Sequence, residues 1–121
     1  MCDFQGYIVP EIVKKRPVVV ISPRLPYRSH LCTVVPLSTA RPDRLQPYHY
    51  EMSKNPHPRE PDDLPVWAKC DLLANVTLKR LDRFKVGRRK YYTPRISDAD
   101  LEGIRVGVLH ALGFGKLTEY L

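Results

Sequence analysis

The chain has 121 residues, 43% hydrophobic and 27% charged, which fits one globular domain with its own core. Lys and Arg number 20 against 13 Asp and Glu, a formal charge of +7 that favours a polyanionic partner, nucleic acid or an acidic protein segment. Cys2, Cys32 and Cys70 make neither a disulfide framework nor a zinc site, and no apolar run reaches the ~20 residues of a membrane span, so a reduced cytoplasmic protein with no membrane role is expected.

Twelve prolines imply short segments and rigid turns. Residues 1–13 are apolar and broken at Gly6 and Pro10. Asp3-Phe4 reads as the tail of a strand, as if the first strand were incomplete or the start site lay downstream of the real one. Pro17–Ser22 is the next strand. Within it Val18 to Ile21 are four β-branched residues in a row, the pattern of a strand buried on both faces. Lys14, Lys15 and Arg16 stand at its mouth. Pro23–His30 is a basic turn carrying Arg24 and Arg28. Leu31–Leu37 is a third strand, closed by Ser38 and Thr39.

Arg41–Gln46 is a polar turn, and Tyr48–Met52 alternates like a half-exposed strand. Ser53–Pro65 holds four prolines and no apolar period, so it reads as a long, mobile loop. Val66–Asp71 is a strand, followed by Leu72–Val76. Thr77–Arg83 fits one helical turn or a short strand. From Lys79 to Arg95 eight basic residues stand against Asp82 alone, the footprint of a polyanion site. Ser97 then caps a terminal helix of roughly fifteen residues, with Asp98 and Asp100 in its first turn and Gly113 beyond its end. Leu101, Ile104, Val108 and Leu112 form its apolar stripe. The order is about five short strands and one closing helix. It predicts a mainly β domain, 1–121, built as a small β-barrel with a C-terminal helix laid against it.

No phosphate-binding glycine loop, nucleophile elbow or metal motif occurs, so an enzyme of this sequence works through side chains, without metal or other cofactor. RNA cleavage fits that inventory. The 2′-OH attacks its own phosphodiester, and the protein supplies a base, an acid and a cation for the phosphorane. Arg16 suits the cation, because guanidinium matches phosphate oxygens bidentately. Ser38 and Thr39 offer hydroxyls. Lys69 and Asp71 face one side of a strand, and Glu11 lies five residues before Arg16. Each also has a plain structural reading: a turn pair for Ser38-Thr39, a surface ion pair for Lys69 and Asp71, and neutralisation of Lys14 or Lys15 for Glu11. His49 and His57 lie on polar segments suited to substrate binding or proton transfer. His110 and Trp67 read as structural.

Glu11-x4-Arg16-Pro17-Val18-Val19-Val20-Ile21-Ser22, Val34-Val35-Pro36-Leu37-Ser38-Thr39 and Trp67-Ala68-Lys69-Cys70-Asp71, in this order, resemble the PemK/MazF toxins of type II toxin–antitoxin systems. Arg80-Leu81-Asp82-Arg83 and Val108–Gly113 fit the same pattern. The resemblance implies an SH3-like barrel, a homodimer, and sequence-specific, metal-independent cleavage of single-stranded RNA or mRNA that inhibits growth. It implies an antitoxin that neutralises the toxin and binds DNA with it. By position it places the catalytic arginine at Arg16, the hydroxyl pair at Ser38 and Thr39, and the preceding acid at Glu11. Lys69 and Asp71 fall on an element that contributes in some members. RNA-binding candidates are Lys69, Lys14, Lys15, Arg24, His49, Arg80 and Arg83. The sequence departs from the family in lacking the Gly-Asp or Gly-Glu start of the first strand, and in having Ser-Thr for the usual Thr-Thr or Thr-Ser. Two other readings stay open: a non-enzymatic toxin of this fold aimed at a protein such as DNA gyrase, and an inactive RNA-binding remnant.

Overall fold

Every strand of the main sheet is placed by one long element, β2, Leu31–Ser38. Its Val34–Leu37 run is buried because both of its edges and both of its faces are covered. The computed structural model describes residues 1–121. β1, Val18–Val20, lies along one edge of β2, with Val18 opposite Pro36 and Val20 opposite Val34. The other edge pairs with β4, Trp67–Lys69, and then with β5, Ala74–Thr77. β3, His49–Glu51, pairs outside β4. A separate hairpin of β6, Phe84–Gly87, and β7, Lys90–Tyr92, follows. The helix α1, Asp98–Ala111, closes the fold. The architecture is mainly antiparallel β with a C-terminal helix, in keeping with the PemK/MazF fold.

Several expectations are corrected. The strand expected over Val66–Asp71 is shorter, because Cys70 turns out of it into a 3-10 turn over Cys70–Leu72. That turn sends the Cys70 thiol into the core, where it donates to the Ile104 carbonyl at 3.6 Å. The strand after it is Ala74–Thr77 rather than Leu72–Val76. Val18–Ile21 is not buried on both faces: β1 is an edge strand and Val20 is 49% exposed. The basic stretch, read only for its charge, carries the β6–β7 hairpin. Ser53–Pro65 is not a free loop. The Met52 amide donates to the Val66 carbonyl across its base, the Asn55 amide to the Asp62 carbonyl within it, and Asn55 is only 3% exposed.

The terminal helix keeps its capping signals, but Leu112, expected on its apolar stripe, lies just past its last residue and is 53% exposed. The Ser97 hydroxyl accepts the Asp100 amide at 3.1 Å as N-cap, and Gly113 takes the left-handed φ of +81° that favours glycine. Ile104 is fully buried against Val35, Leu37 and Ala68 of the sheet. A second cluster, Cys2, Phe4, Cys32, Val34 and Val76, forms the other core. Cys2 joins that core through one isolated bridge on each side, to Arg16 and to Leu81, so the first strand is represented by a single paired residue.

α1 approaches the sheet so closely that a side chain has no room at Gly107. A Cβ there would lie 2.6 Å from Cys70 Sγ and 3.2 Å from Cys70 Cβ, and Cys70 is fully buried. Gly107→Ala is therefore expected to destabilise the fold by about 2 kcal/mol despite its better helix propensity. Thermal melting followed by circular dichroism checks this, with the midpoint falling by roughly 5–10 °C. An unchanged midpoint would contradict the packing described here.

Candidate active site

Arg16 is held by its backbone. The Cys2 amide donates to the Arg16 carbonyl at 2.8 Å, and the Arg16 amide returns a bond to the Cys2 carbonyl at 3.0 Å. Pro17 follows at the entrance to β1, the first position of a strand, where a missing N–H is tolerated. Its carbonyl accepts the Leu37 amide at 2.9 Å. That bond sets Arg16-Pro17 beside the end of β2, where Ser38 and Thr39 stand.

The three residues Arg16, Ser38 and Thr39 line one cleft of about 210 Å³. Lys15 lies on the same wall, and Asn55, His57 and Glu60 face them from the proline-rich loop. Arg16 forms no ion pair; the carboxylates within 4.0 Å of a basic side-chain nitrogen are Glu60, 3.9 Å from the His57 imidazole, and Glu102, 3.9 Å from Arg105 on the helix. Its guanidinium is thus uncommitted and available to an anion. The Ser38 hydroxyl oxygen accepts the Ala40 amide at 3.1 Å, which orients it and leaves its proton free to donate.

The facing loop is built by hydrogen bonds of its own. Asn55 Nδ2 donates to Glu60 Oε2 at 2.9 Å, and Asn55 Oδ1 accepts the His57 amide at 2.9 Å. His57 Nδ1 accepts the Arg59 amide at 3.2 Å. That bond assigns the proton of a neutral imidazole to Nε2, the nitrogen 3.9 Å from Glu60 Oε1. The imidazole packs edge-on to Phe84 at 4.7 Å. The cleft therefore carries a cation, two hydroxyls, an N–H donor and a carboxylate, the set required for phosphodiester transfer to an internal hydroxyl. No three His, Cys, Asp or Glu side chains converge on a point that could hold a metal ion.

The loop is anchored by Asp100. Its carboxylate, 2% exposed, accepts the Ser53 amide at 3.0 Å, the Ser53 hydroxyl at 2.7 Å and the Tyr50 hydroxyl at 2.7 Å. Burial alone would push the Asp100 carboxyl up. The hydrogen bonds from Ser53, Tyr50 and Ser97 outweigh it and hold the group below its ordinary value. Burial and the same contact push the Tyr50 phenol up to about 12.

The other candidates lie outside the cleft. Glu11 is exposed, and its carboxylate accepts the Ile8 amide at 2.6 Å within its own turn. Lys69 stands opposite His49 in the β3–β4 ladder, while Asp71, expected on the same face of that strand, lies instead in the 3-10 turn Cys70–Leu72. Burial pushes its ammonium down, and Asp71 and Asp43 pull it partly back. His49 Nδ1 accepts the Gln46 amide at 3.1 Å. Lys14 is exposed beside the cleft, whereas Arg24 lies beyond the far end of β1. Arg80 donates to the carbonyls of Asp3 and Gln5 at 2.9 and 2.7 Å and covers the Tyr7 ring at 5.2 Å, so it fastens the N-terminal segment. Arg83 sits over the Tyr91 ring at 4.7 Å. Trp67 is buried, as expected of a core residue.

Sequence reasoning ranks His57 no higher than His49 and passes over Asn55 and Glu60. The signal is local: Asn55-x-His57 makes an Asx turn, and Glu60 lies three residues on, where it can return to both. Residues 1–108 match a family model described as PemK-like, MazF-like toxin of type II toxin-antitoxin system. A curated relative, the putative uncharacterized protein YifN of Escherichia coli (strain K12), is 37% identical over 93 residues, covering 70% of this chain and 58% of the relative. The chain thus spans somewhat over half the length of that relative. With a match across most of its length, the chain belongs to the PemK-like, MazF-like toxins of type II toxin–antitoxin systems.

Proposed function

We propose that the protein is an endoribonuclease that cleaves single-stranded RNA by attack of a 2′-OH on the adjacent phosphorus. The new bond is 2′-O–P, the bond broken is P–O5′, and the products are a 2′,3′-cyclic phosphate and a 5′-hydroxyl. Arg16 neutralises the phosphorane, and Ser38 and Thr39 donate to its non-bridging oxygens. Glu60 takes the 2′-OH proton, and water protonates the departing O5′ while the Nε2–H of His57 donates a hydrogen bond to that oxygen. Lys69 and His49 make a separate strip that, with Lys14, Lys15 and Arg83, guides the RNA backbone. Glu11 orders the turn that precedes Arg16. The protein works as a homodimer in the cytoplasm, and its growth inhibition is neutralised by a cognate antitoxin.

The observation that carries this reading is the convergence of Arg16, Ser38 and Thr39, from two separate segments, on one cleft. Incubating the purified protein with a long RNA in the presence of EDTA tests it. Discrete cuts support it; intact RNA together with arrested growth would point to a protein target instead. His57→Ala is expected to slow cleavage by about 10²-fold with an unchanged far-ultraviolet spectrum, since removing one hydrogen-bond donor to the charge that develops costs roughly that much. An unchanged rate would remove His57 from the mechanism.

A further inference from the structure

The β6–β7 hairpin stands apart from both cores. Neither strand pairs with the main sheet, and no residue from Phe84 to Tyr92 is buried. A two-stranded hairpin gains little stability by itself, so interior packing does not dictate its side chains. From Arg83 to Ile96 six basic side chains stand with no acidic one, and none of the six forms an ion pair. Its two faces differ. Phe84 lies directly opposite Tyr92 and Lys85 opposite Tyr91, so each pair shares a face and the two pairs point opposite ways. Arg83 covers the Tyr91 ring at 4.7 Å, which makes that face cationic. The other face is aromatic. Its Phe84 ring meets the His57 ring at 4.7 Å, and His57 lines the Arg16 cleft. Tyr92, next to Phe84, is 51% exposed. A row of rings, His57, Phe84 and Tyr92, thus leads out of the cleft to an open tyrosine. Further along the ribbon, its turn carries Arg88, Arg89 and Lys90, all exposed.

We propose that this hairpin is a second RNA contact, which takes the unpaired strand as it leaves the Arg16 cleft. One base stacks on Tyr92, and the phosphates that follow meet Arg88, Arg89 and Lys90. Every base has a ring face to stack, so the contact adds affinity without adding sequence preference. It demands an unpaired strand on that side of the cut, because bases inside a duplex offer no free face to a tyrosine. The inference rests on the reading of the cleft as an RNA site.

Fluorescence anisotropy with an end-labelled 2′-O-methyl RNA tests it. That strand has no free 2′-OH to attack, so binding is read apart from cutting. Tyr92→Ala should weaken binding about tenfold and Tyr92→Phe should retain it, both with an unchanged far-ultraviolet spectrum. On an abasic strand of the same length the effect of Tyr92→Ala should vanish. Replacing Arg88, Arg89 and Lys90 together by alanine should reduce the slope of log affinity against log salt by about two. The proposal is overturned if Tyr92→Ala binds like the wild type, if it weakens the full and abasic strands equally, or if duplex RNA of the same length binds more tightly than the single strand. The expected pattern in a protein that cuts no RNA would keep this proposal and remove the nuclease reading. Cutting with none of the pattern would do the reverse.

Discussion

Arg16→Ala should lower RNA cleavage by about 10²–10³-fold while leaving the melting temperature nearly unchanged. Both halves of that result follow from how the residue is held. Its main chain is fixed by two bonds to Cys2, which alanine would keep, and its guanidinium has no carboxylate partner to orphan. Deleting it therefore leaves no buried charge unpaired, and stability has little to lose. On the proposed mechanism, the reaction loses the cation that meets the phosphorane. Arg16→Lys should recover only part of the rate, because an ammonium cannot reproduce bidentate contact with two phosphate oxygens. A cleavage time course on one RNA with wild-type, alanine and lysine proteins at matched concentration measures this. Equal rates for all three would remove Arg16 from the reacting centre.

Asp100→Ala should have the opposite profile, a large stability loss of about 3 kcal/mol or more. Three donors, the Ser53 amide, the Ser53 hydroxyl and the Tyr50 hydroxyl, converge on one buried carboxylate. Alanine leaves them without an acceptor in a site closed to solvent. Ser53 is also where the loop carrying Asn55, His57 and Glu60 departs, so cleavage should fall even at temperatures where the variant is still folded. Urea unfolding gives the first quantity and activity below the transition gives the second. The pH dependence has a definite sign. The Asp100 carboxyl is held below its unfolded value, so its contribution is complete above the unfolded carboxylate range. It is lost as pH falls through the lower folded value. The wild type should therefore lose stability on acidification in a range where Asp100→Ala does not.

How much of this was legible in the sequence depends on whether the signal was local. The helix was, because Ser97, Asp100, Ile104 and Gly113 each act within a turn or two of their own position. The cores of β1 and β2 were, because runs of β-branched residues have few other uses. The burial of β1 was not. Val18 to Ile21 read the same whether one edge or two are covered, and the answer depends on where Cys2 and Leu81 lie in space. The cleft was half legible. Arg16, Ser38 and Thr39 came from blocks that resemble a family, and the Pro17–Leu37 bond explains why they meet. Asn55, His57 and Glu60 were hidden, because a segment rich in proline and charge looks mobile until a distant carboxylate, Asp100, is seen holding its base. Arg80 was misleading for the reverse reason. It reads as one more basic residue of an RNA-binding run, yet its guanidinium is committed to two backbone carbonyls.

We propose the RNA's own 2′-OH as the nucleophile, in a cleft framed by Arg16, Ser38, Thr39 and His57. The most direct measurement compares one cleaved RNA oligonucleotide with a copy carrying a single 2′-deoxy substitution at the nucleotide 5′ to the cut, both in EDTA, with product ends identified by mass spectrometry. The prediction is a 2′,3′-cyclic phosphate and a 5′-hydroxyl from the first, and an intact second strand. Cutting of the 2′-deoxy strand at an undiminished rate would rule this mechanism out, since it would require a nucleophile other than the one this cleft is proposed to activate.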